Sequence, residues 1–182
     1  MKPVVLSWNL PICALMLVLL SSCMTAPEEN LRLAAAEGNV LRVQTFLEQG
    51  LNLQAADVRG VTPLFCAAKN GHSDVVALLL ERGATMNPIR QDGVTPIFIA
   101  AQEEGQREVV ALLLKNGADV NTRAGIGEVT LLHVAAYRGD QELITLLLQH
   151  GANKHARMSS GERPVDLGQT QGHAALIPFL EP

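Results

Sequence analysis

Aromatic residues are scarce in this chain of 182 residues. They make up 3% of it, and the single tryptophan, Trp8, lies close to the N-terminus. Buried aromatic rings contribute much of the apolar area in a thick protein core. Their scarcity favours thin layers of Leu, Val and Ala over one large globular core.

Cysteine is also scarce, with three residues in the chain. Cys13 lies in an N-terminal apolar segment and Cys23 directly follows that region. For reasons given below, we expect Cys13 to be removed and Cys23 to be modified, which leaves Cys66. One thiol cannot form an internal disulfide bond, so we interpret Cys66 as a small buried apolar residue.

Two further features are missing. No basic block interleaves with aromatic residues, and the formal net charge is −4, so we do not expect a nucleic-acid partner. The N-terminal apolar run, Pro11–Leu20, is too short for a membrane span, which needs about 20 residues. With Lys2 ahead of it and small residues behind, this run has the pattern of a secretory signal.

The end of this segment, Leu20-Ser21-Ser22-Cys23, is similar to the bacterial lipobox. In lipoproteins with this motif the cysteine becomes the first residue and is acylated. The resemblance implies a signal peptide at 1–22, lipidation of Cys23 and a tether at 23–29. Several acyl chains anchor a protein durably, whereas one binds only marginally. A plain secretory signal is the alternative.

Sorting depends on the residue that follows the lipidated cysteine. Here it is Met24, whereas many lipoproteins retained at the inner membrane have Asp. The resemblance therefore implies the periplasmic face of the bacterial outer membrane.

The rest of the chain repeats itself every 33 residues or so. The segment Gly60–Asn87 returns as Gly93–Asn121 and again as Gly127–Asn153, and T-P-L-F-C-A at 62–67 matches T-P-I-F-I-A at 95–100. Self-similarity at this period indicates a stacked helical array. These stretches, with G-A-D-V-N at 117–121, resemble the ankyrin repeat family.

The resemblance implies an all-α solenoid of about five helix–turn–helix repeats with projecting hairpin loops. The ankyrin domain is expected at 30–182, with repeats at about 30–56, 57–89, 90–123, 124–157 and 158–182.

Several local features refine this expectation. Thr62 can cap a helix in which Pro63 takes the first position. The third repeat has one surplus residue within Gln102–Glu104, which predicts a longer first helix or turn. The fourth has a longer hairpin at Gly125–Glu128, and Pro178 predicts a short or kinked last helix.

No arrangement of residues in the sequence indicates catalysis. The five histidines fall mainly at repeat positions, and no two share a helix at the spacing of a zinc site. Ser159-Ser160-Gly161 lies in an expected hairpin and lacks the strand–turn–helix setting of a catalytic serine. We therefore predict a protein with no enzymatic activity, catalytic residues, metal, cofactor or small-molecule substrate.

A binding surface remains as the functional feature. In the ankyrin family, partners usually dock on the hairpin tips and on the concave face of the first helices. Carried over by position, the candidates are Val58, Arg59, Val61, Lys69 and Asn70 in repeat two, Gln91, Asp92, Val94, Gln102 and Glu103 in repeat three, Arg123, Ile126, Glu128, Tyr137 and Arg138 in repeat four, and Arg157 and Met158 in the last hairpin.

Tyr137 and Arg138 are the strongest of these candidates, because Tyr and Arg are enriched at binding hot spots. We expect Val58, Val61, Val94 and Ile126 to add exposed apolar area along the same edge.

These inferences combine into a protein-binding module tethered to the outer membrane. Periplasmic ankyrin lipoproteins resembling this chain include antidotes to toxic phospholipase effectors of type VI secretion. That resemblance implies an immunity protein that occludes a secreted lipase toxin. The alternative is an accessory factor for an envelope enzyme, as in periplasmic ankyrin proteins that support catalase.

Overall fold

The computed structural model describes residues 27–87, 90 and 92–181. The predicted signal peptide, the lipidation site Cys23 and the candidate Gln91 lie outside the described residues. Ten α-helices, one short 3-10 helix and one two-stranded sheet make up the regular structure of the described part, which confirms the all-α prediction. Among the described residues, no helix has the length and apolar character needed to cross a membrane.

The helices follow one another in pairs that we number in chain order. They are α1 Pro27–Ala36 with α2 Val40–Glu48, α3 Pro63–Lys69 with α4 Ser73–Glu81, α5 Pro96–Gln102 with α6 Arg107–Lys115, α7 Leu131–Arg138 with α8 Gln141–Gln149, and α9 Pro164–Thr170 with a 3-10 turn Ala174–Leu176 and α10 Ile177–Leu180. Helix α1 begins at Pro27, so it already occupies part of the segment assigned to the tether.

Local sequence explains where these helices begin and end. At the start of α3, the Thr62 Oγ1 accepts a hydrogen bond of 3.2 Å from the Phe65 N–H, and Pro63 takes the first helical position. The following turn contains Gly71 at φ +76°, a left-handed conformation that suits glycine. The cap at Thr62 and the position of Pro63 match the prediction from the T-P motif.

The helices pack in two layers. The first helices of successive pairs stack in one row, α1, α3, α5, α7 and α9, and the second helices pack behind them. The layer between them consists mainly of fully buried aliphatic residues such as Leu64, Val76, Ile97 and Leu113. This thin aliphatic core agrees with the low aromatic content.

Hydrogen bonds between repeats connect the first helices. The last carbonyls of a helix have no partner within the helix, and at three repeat junctions a side chain just after the next repeat's turn glycine binds one of them. The contacts are His72 Nε2 to the Ala36 carbonyl at 2.9 Å, Gln106 Nε2 to the Lys69 carbonyl at 2.7 Å, and His173 Nε2 to the Tyr137 carbonyl at 3.2 Å.

The junction between the third and fourth repeats is different. The equivalent residue there is Asp140, whose carboxylate cannot donate a hydrogen bond and instead accepts one from the Leu143 N–H at 2.9 Å. Arg138 donates in its place, with Nη1 at 2.8 Å from the Ala101 carbonyl and 2.9 Å from the Glu103 carbonyl.

The surplus residue of the third repeat lies in this same region. Helices α3 and α5 both have seven residues, so the extra residue does not lengthen the helix. It enlarges the turn after Gln102, where Glu103 is extended with φ −90° and ψ 147°. Of the two predicted outcomes, the turn is the correct one.

The fourth hairpin is enlarged as predicted. Strands β1 Arg123–Ala124 and β2 Val129–Thr130 pair in antiparallel fashion, and residues 125–128 form the loop. Within it, Glu128 has φ +50°, which is uncommon for a residue with a side chain. Its carboxylate accepts a hydrogen bond of 2.9 Å from Arg123 Nη1, which holds the loop.

Candidate functional site

One apolar position recurs on the exposed side of the first helices. Counting four residues forward from the N-cap residue of α3, α5, α7 and α9, the equivalent residues are Cys66, Ile99, Val134 and Leu167, and Leu33 takes this place in the first repeat. Leu33 is exposed and the other four are partly buried. Burial raises the pKa of the Cys66 thiol, which favours the uncharged form expected of a small apolar residue.

Two adjoining cavities lie beside this row in repeats three to five. The larger, of about 460 Å³, is lined by Gln102, Val129, His133, Val134, Tyr137, Arg138, Met158 and Leu167. The smaller, of about 240 Å³, is lined by Val94, Phe98, Gln102, Ala124, Gly125, Gly127 and Val129. They share Gln102 and Val129, so we treat them as one surface and call it the groove.

The hairpins form one wall of the groove and are bonded to one another. The Gly125 N–H donates to the Asp92 carbonyl at 3.1 Å, and the Ser159 N–H donates to the Gly127 carbonyl at 2.9 Å. Ser159 Oγ also donates to the Ile126 carbonyl at 3.1 Å. The enlarged fourth hairpin is thereby held between its neighbours, with the Ile126 side chain 100% exposed at its tip.

The end of α7 forms the opposite edge. Tyr137 is 56% exposed and Arg138 is partly buried by its contacts with the enlarged turn after α5. Both one-residue insertions, in that turn and in the fourth hairpin, therefore lie beside the groove. The arrangement offers apolar side chains, an exposed aromatic ring and a fixed cation.

His133 closes the floor of the groove and is fully buried. Its Nδ1 lies 2.7 Å from Thr130 Oγ1 and accepts from the Thr130 N–H at 3.3 Å, so Nε2 carries the hydrogen and donates to the Glu162 carbonyl at 3.1 Å. Burial lowers the pKa of His133, and the positive charge of Arg123 adds to this effect. The neutral ring thus joins α7 to the last hairpin.

Comparison with models of protein families identifies the family to which this architecture belongs. A family model for ankyrin repeats in three copies matches residues 31–124, and a single ankyrin repeat matches residues 128–159. The chain belongs to the ankyrin-repeat family. A comparison with curated proteins found no match.

Ankyrin repeats indicate a protein-interaction module, and proteins built from them are generally non-catalytic binding modules. Within the part of the chain that the structure describes, no group of three His, Cys, Asp or Glu side chains is placed to hold a metal ion. The apolar side chains, the aromatic ring and the guanidinium of the groove suit non-covalent contacts with a partner protein.

The structure brings five of the predicted binding residues to the groove, namely Val94, Gln102, Tyr137, Arg138 and Met158. The described candidates that do not line it are Val58, Arg59, Val61, Lys69, Asn70, Asp92, Glu103, Arg123, Ile126, Glu128 and Arg157.

The expectation of exposed apolar area is right for Val58 and Ile126 and wrong for two other residues. Val58 is 91% exposed. Val61 and Val94 are both partly buried, and Val94 packs against the core. Val58, by contrast, lies at the hairpin tip, in the turn closed by the bond from the Gly60 N–H to the Asp57 carbonyl.

The sequence analysis missed several groove residues. Val134 and Leu167 are equivalent to Cys66, and Phe98 and His133 are equivalent to one another. Following each position of the first helix through all five repeats would have identified them.

Arg138 should contribute to stability through its two carbonyl contacts. Arg138→Met keeps much of the apolar stem but leaves the Ala101 and Glu103 carbonyls without their donor, so we expect the free energy of unfolding to fall by about 2 kcal/mol. Urea denaturation measures this. Arg82→Met, at an exposed position, is the matched control and should change stability by less than about 0.5 kcal/mol. Equal effects of the two substitutions would contradict the assigned role.

His133 should make stability depend on pH. Its pKa is lowered in the folded protein, so below about pH 6.5 the unfolded chain takes up the proton first. As the pH is lowered further, the free energy of unfolding then decreases by up to about 1.4 kcal/mol per pH unit, until the pH reaches the pKa of the folded state. His133→Gln removes this dependence. The difference in free energy of unfolding between wild type and His133→Gln should therefore become smaller as the pH is lowered from about 7 to about 5.

Urea denaturation across this pH range measures the effect. His155→Gln, at an exposed histidine, is the control and should retain the wild-type slope. A wild-type slope in His133→Gln would show that the buried ring does not titrate as described.

Proposed function

We propose that this ankyrin-repeat protein binds a partner protein in the groove of repeats three to five. The observation that carries the proposal is the continuous apolar surface between the bonded hairpins and the first helices. Val94, Val134, Met158 and Leu167 contribute to it, and Tyr137 stands at its edge. Tyr and Arg beside an apolar surface are typical of binding hot spots.

The two insertions support the choice of this part of the solenoid. A regular stack presents the same surface at each repeat, whereas here the turn after α5 and the fourth hairpin are both enlarged. They border the same groove from opposite sides. A partner can therefore recognise this segment of the stack by its shape as well as by its side chains.

We further propose that the protein is an immunity protein held at the periplasmic face of the outer membrane. The lipobox-like sequence ending at Cys23 supports the lipid anchor. Helix α1 begins at Pro27, so the residues from Cys23 to Pro27 span at most roughly 14 Å. The domain would then lie near the membrane, where a phospholipase effector meets its lipid substrate. By binding the effector there, the domain would sterically block access of the lipid to the enzyme.

Co-purification tests the proposal. The full chain carries a C-terminal tag, is expressed in its native envelope and is recovered with its bound proteins, which mass spectrometry identifies. A stoichiometric lipase-like toxin supports the immunity role, and a housekeeping envelope enzyme supports the accessory role instead. The absence of any specific protein would contradict a binding function. Cys23→Ser should release the protein from the membrane fraction.

A matched pair of substitutions localises the interface. Tyr137→Asp should reduce the recovered partner by about tenfold or more, as expected for a hot spot. Leu41→Asp changes a residue of α2 that is 77% exposed and lies outside the groove, and it should leave recovery unchanged. The opposite pattern would place the interface on another face.

A further inference from the structure

We propose that the groove recognises a peptide segment of the partner that is both apolar and acidic, with one Asp or Glu side chain paired to Arg138. This inference rests on the proposed function and specifies the chemistry of the bound segment. Its apolar side chains would fill the space beside Val134, Met158 and Leu167. The carboxylate would bind at the edge of that space.

The hydrogen bonds of Arg138 define which part of the guanidinium is available. Nη1 is committed to the Ala101 and Glu103 carbonyls. Nε and Nη2 form the other edge of the group and have no hydrogen-bond partner among the described residues. Neither of these two atoms is fully buried. This edge therefore remains accessible beside the groove.

No acidic side chain of the described residues forms an ion pair with Arg138. Each ion pair found in that part of the chain involves another arginine. A carboxylate binds more strongly to a partly buried cation at the edge of an apolar surface than to a fully solvated cation, because the local dielectric constant is lower.

The same molecule shows how such an edge holds a carboxylate. Arg163 donates from Nε to Asp166 Oδ2 at 3.1 Å and from Nη2 to Oδ1 at 2.8 Å. This two-point geometry is the strong form of an arginine–carboxylate contact. The hydrogen bonds of Arg163 lower the pKa of Asp166, as expected for a stabilised carboxylate. Arg138 presents the same pair of donors without a carboxylate.

Arg138 is also preorganised. Its two carbonyl contacts fix the side chain before any partner arrives, so less conformational entropy is lost on binding than for a free surface arginine. Glu103 and Glu104 follow Gln102 at the same edge. Their charges disfavour a run of acidic residues, so we expect a single carboxylate flanked by apolar side chains.

Selection from a peptide library tests this inference. Random peptides of about twelve residues, displayed as N-terminal fusions so that their carboxylates come mainly from side chains, are panned against the full chain in detergent. We expect enrichment of sequences with one Asp or Glu among apolar residues. In a synthetic peptide from this set, replacing the acid by its amide should weaken binding about tenfold or more.

A protein variant completes the cycle. Arg138→Lys keeps a donor for the two carbonyls but lacks the pair of donors that binds a carboxylate at two points. It should therefore weaken binding of the acidic peptide about tenfold and leave binding of the amide peptide nearly unchanged. Arg82→Lys is the matched control. The amide peptide tests the contact on the unaltered protein, so the result does not depend on the stability of the variant.

The remaining outcomes overturn the inference in distinguishable ways. Enriched peptides without an acid that still lose binding to Tyr137→Asp would refute the carboxylate contact and leave the groove as the binding site. Peptides that bind Tyr137→Asp normally would refute the groove as well. Two results would refute a peptide as the occupant of the groove. One is that no peptide sequence is enriched, and the other is that sodium dodecanoate binds while no peptide does.

Discussion

The stack depends on hydrogen bonds to the carbonyls that end each first helix. These groups have no partner within the helix, and in each of the four junctions the next repeat supplies a donor: His72, Gln106, Arg138 or His173. The fourth repeat has Asp140 at the position where its neighbours have a donor. Arg138 takes that role, and this places a fixed guanidinium at the edge of the groove.

The groove results from two small departures from the regular repeat. The surplus residue after α5 enlarges a turn whose carbonyls bind Arg138. The longer fourth hairpin is pinned to its neighbours through Asp92 and Ser159. Each insertion would be unremarkable in an isolated loop. Because they fall in successive repeats, they shape one surface and distinguish it from the rest of the solenoid.

The sequence predicted the periodic part of the structure well, since the helix pairs, the cap at Thr62 and the enlarged hairpin follow from local rules. It did not predict the role of Arg138, because the contact with Ala101 and Glu103 depends on a turn whose geometry the extra residue changes. Exposure of hairpin residues was only partly predicted, since Val58 and Val94 both lie in hairpins but only one faces solvent. Repeats establish which residues are equivalent, and tertiary packing decides which of them remain accessible.

Tyr137 is the single tyrosine of the chain and stands at the edge of the groove. Incorporation of 3-fluorotyrosine therefore gives one ¹⁹F NMR signal, which can be followed during titration with the partner recovered by co-purification. If the groove is the binding surface, the signal should shift on saturation and lose its sensitivity to a soluble gadolinium complex. An unchanged signal in the saturated complex would contradict the central claim that recognition takes place in the groove.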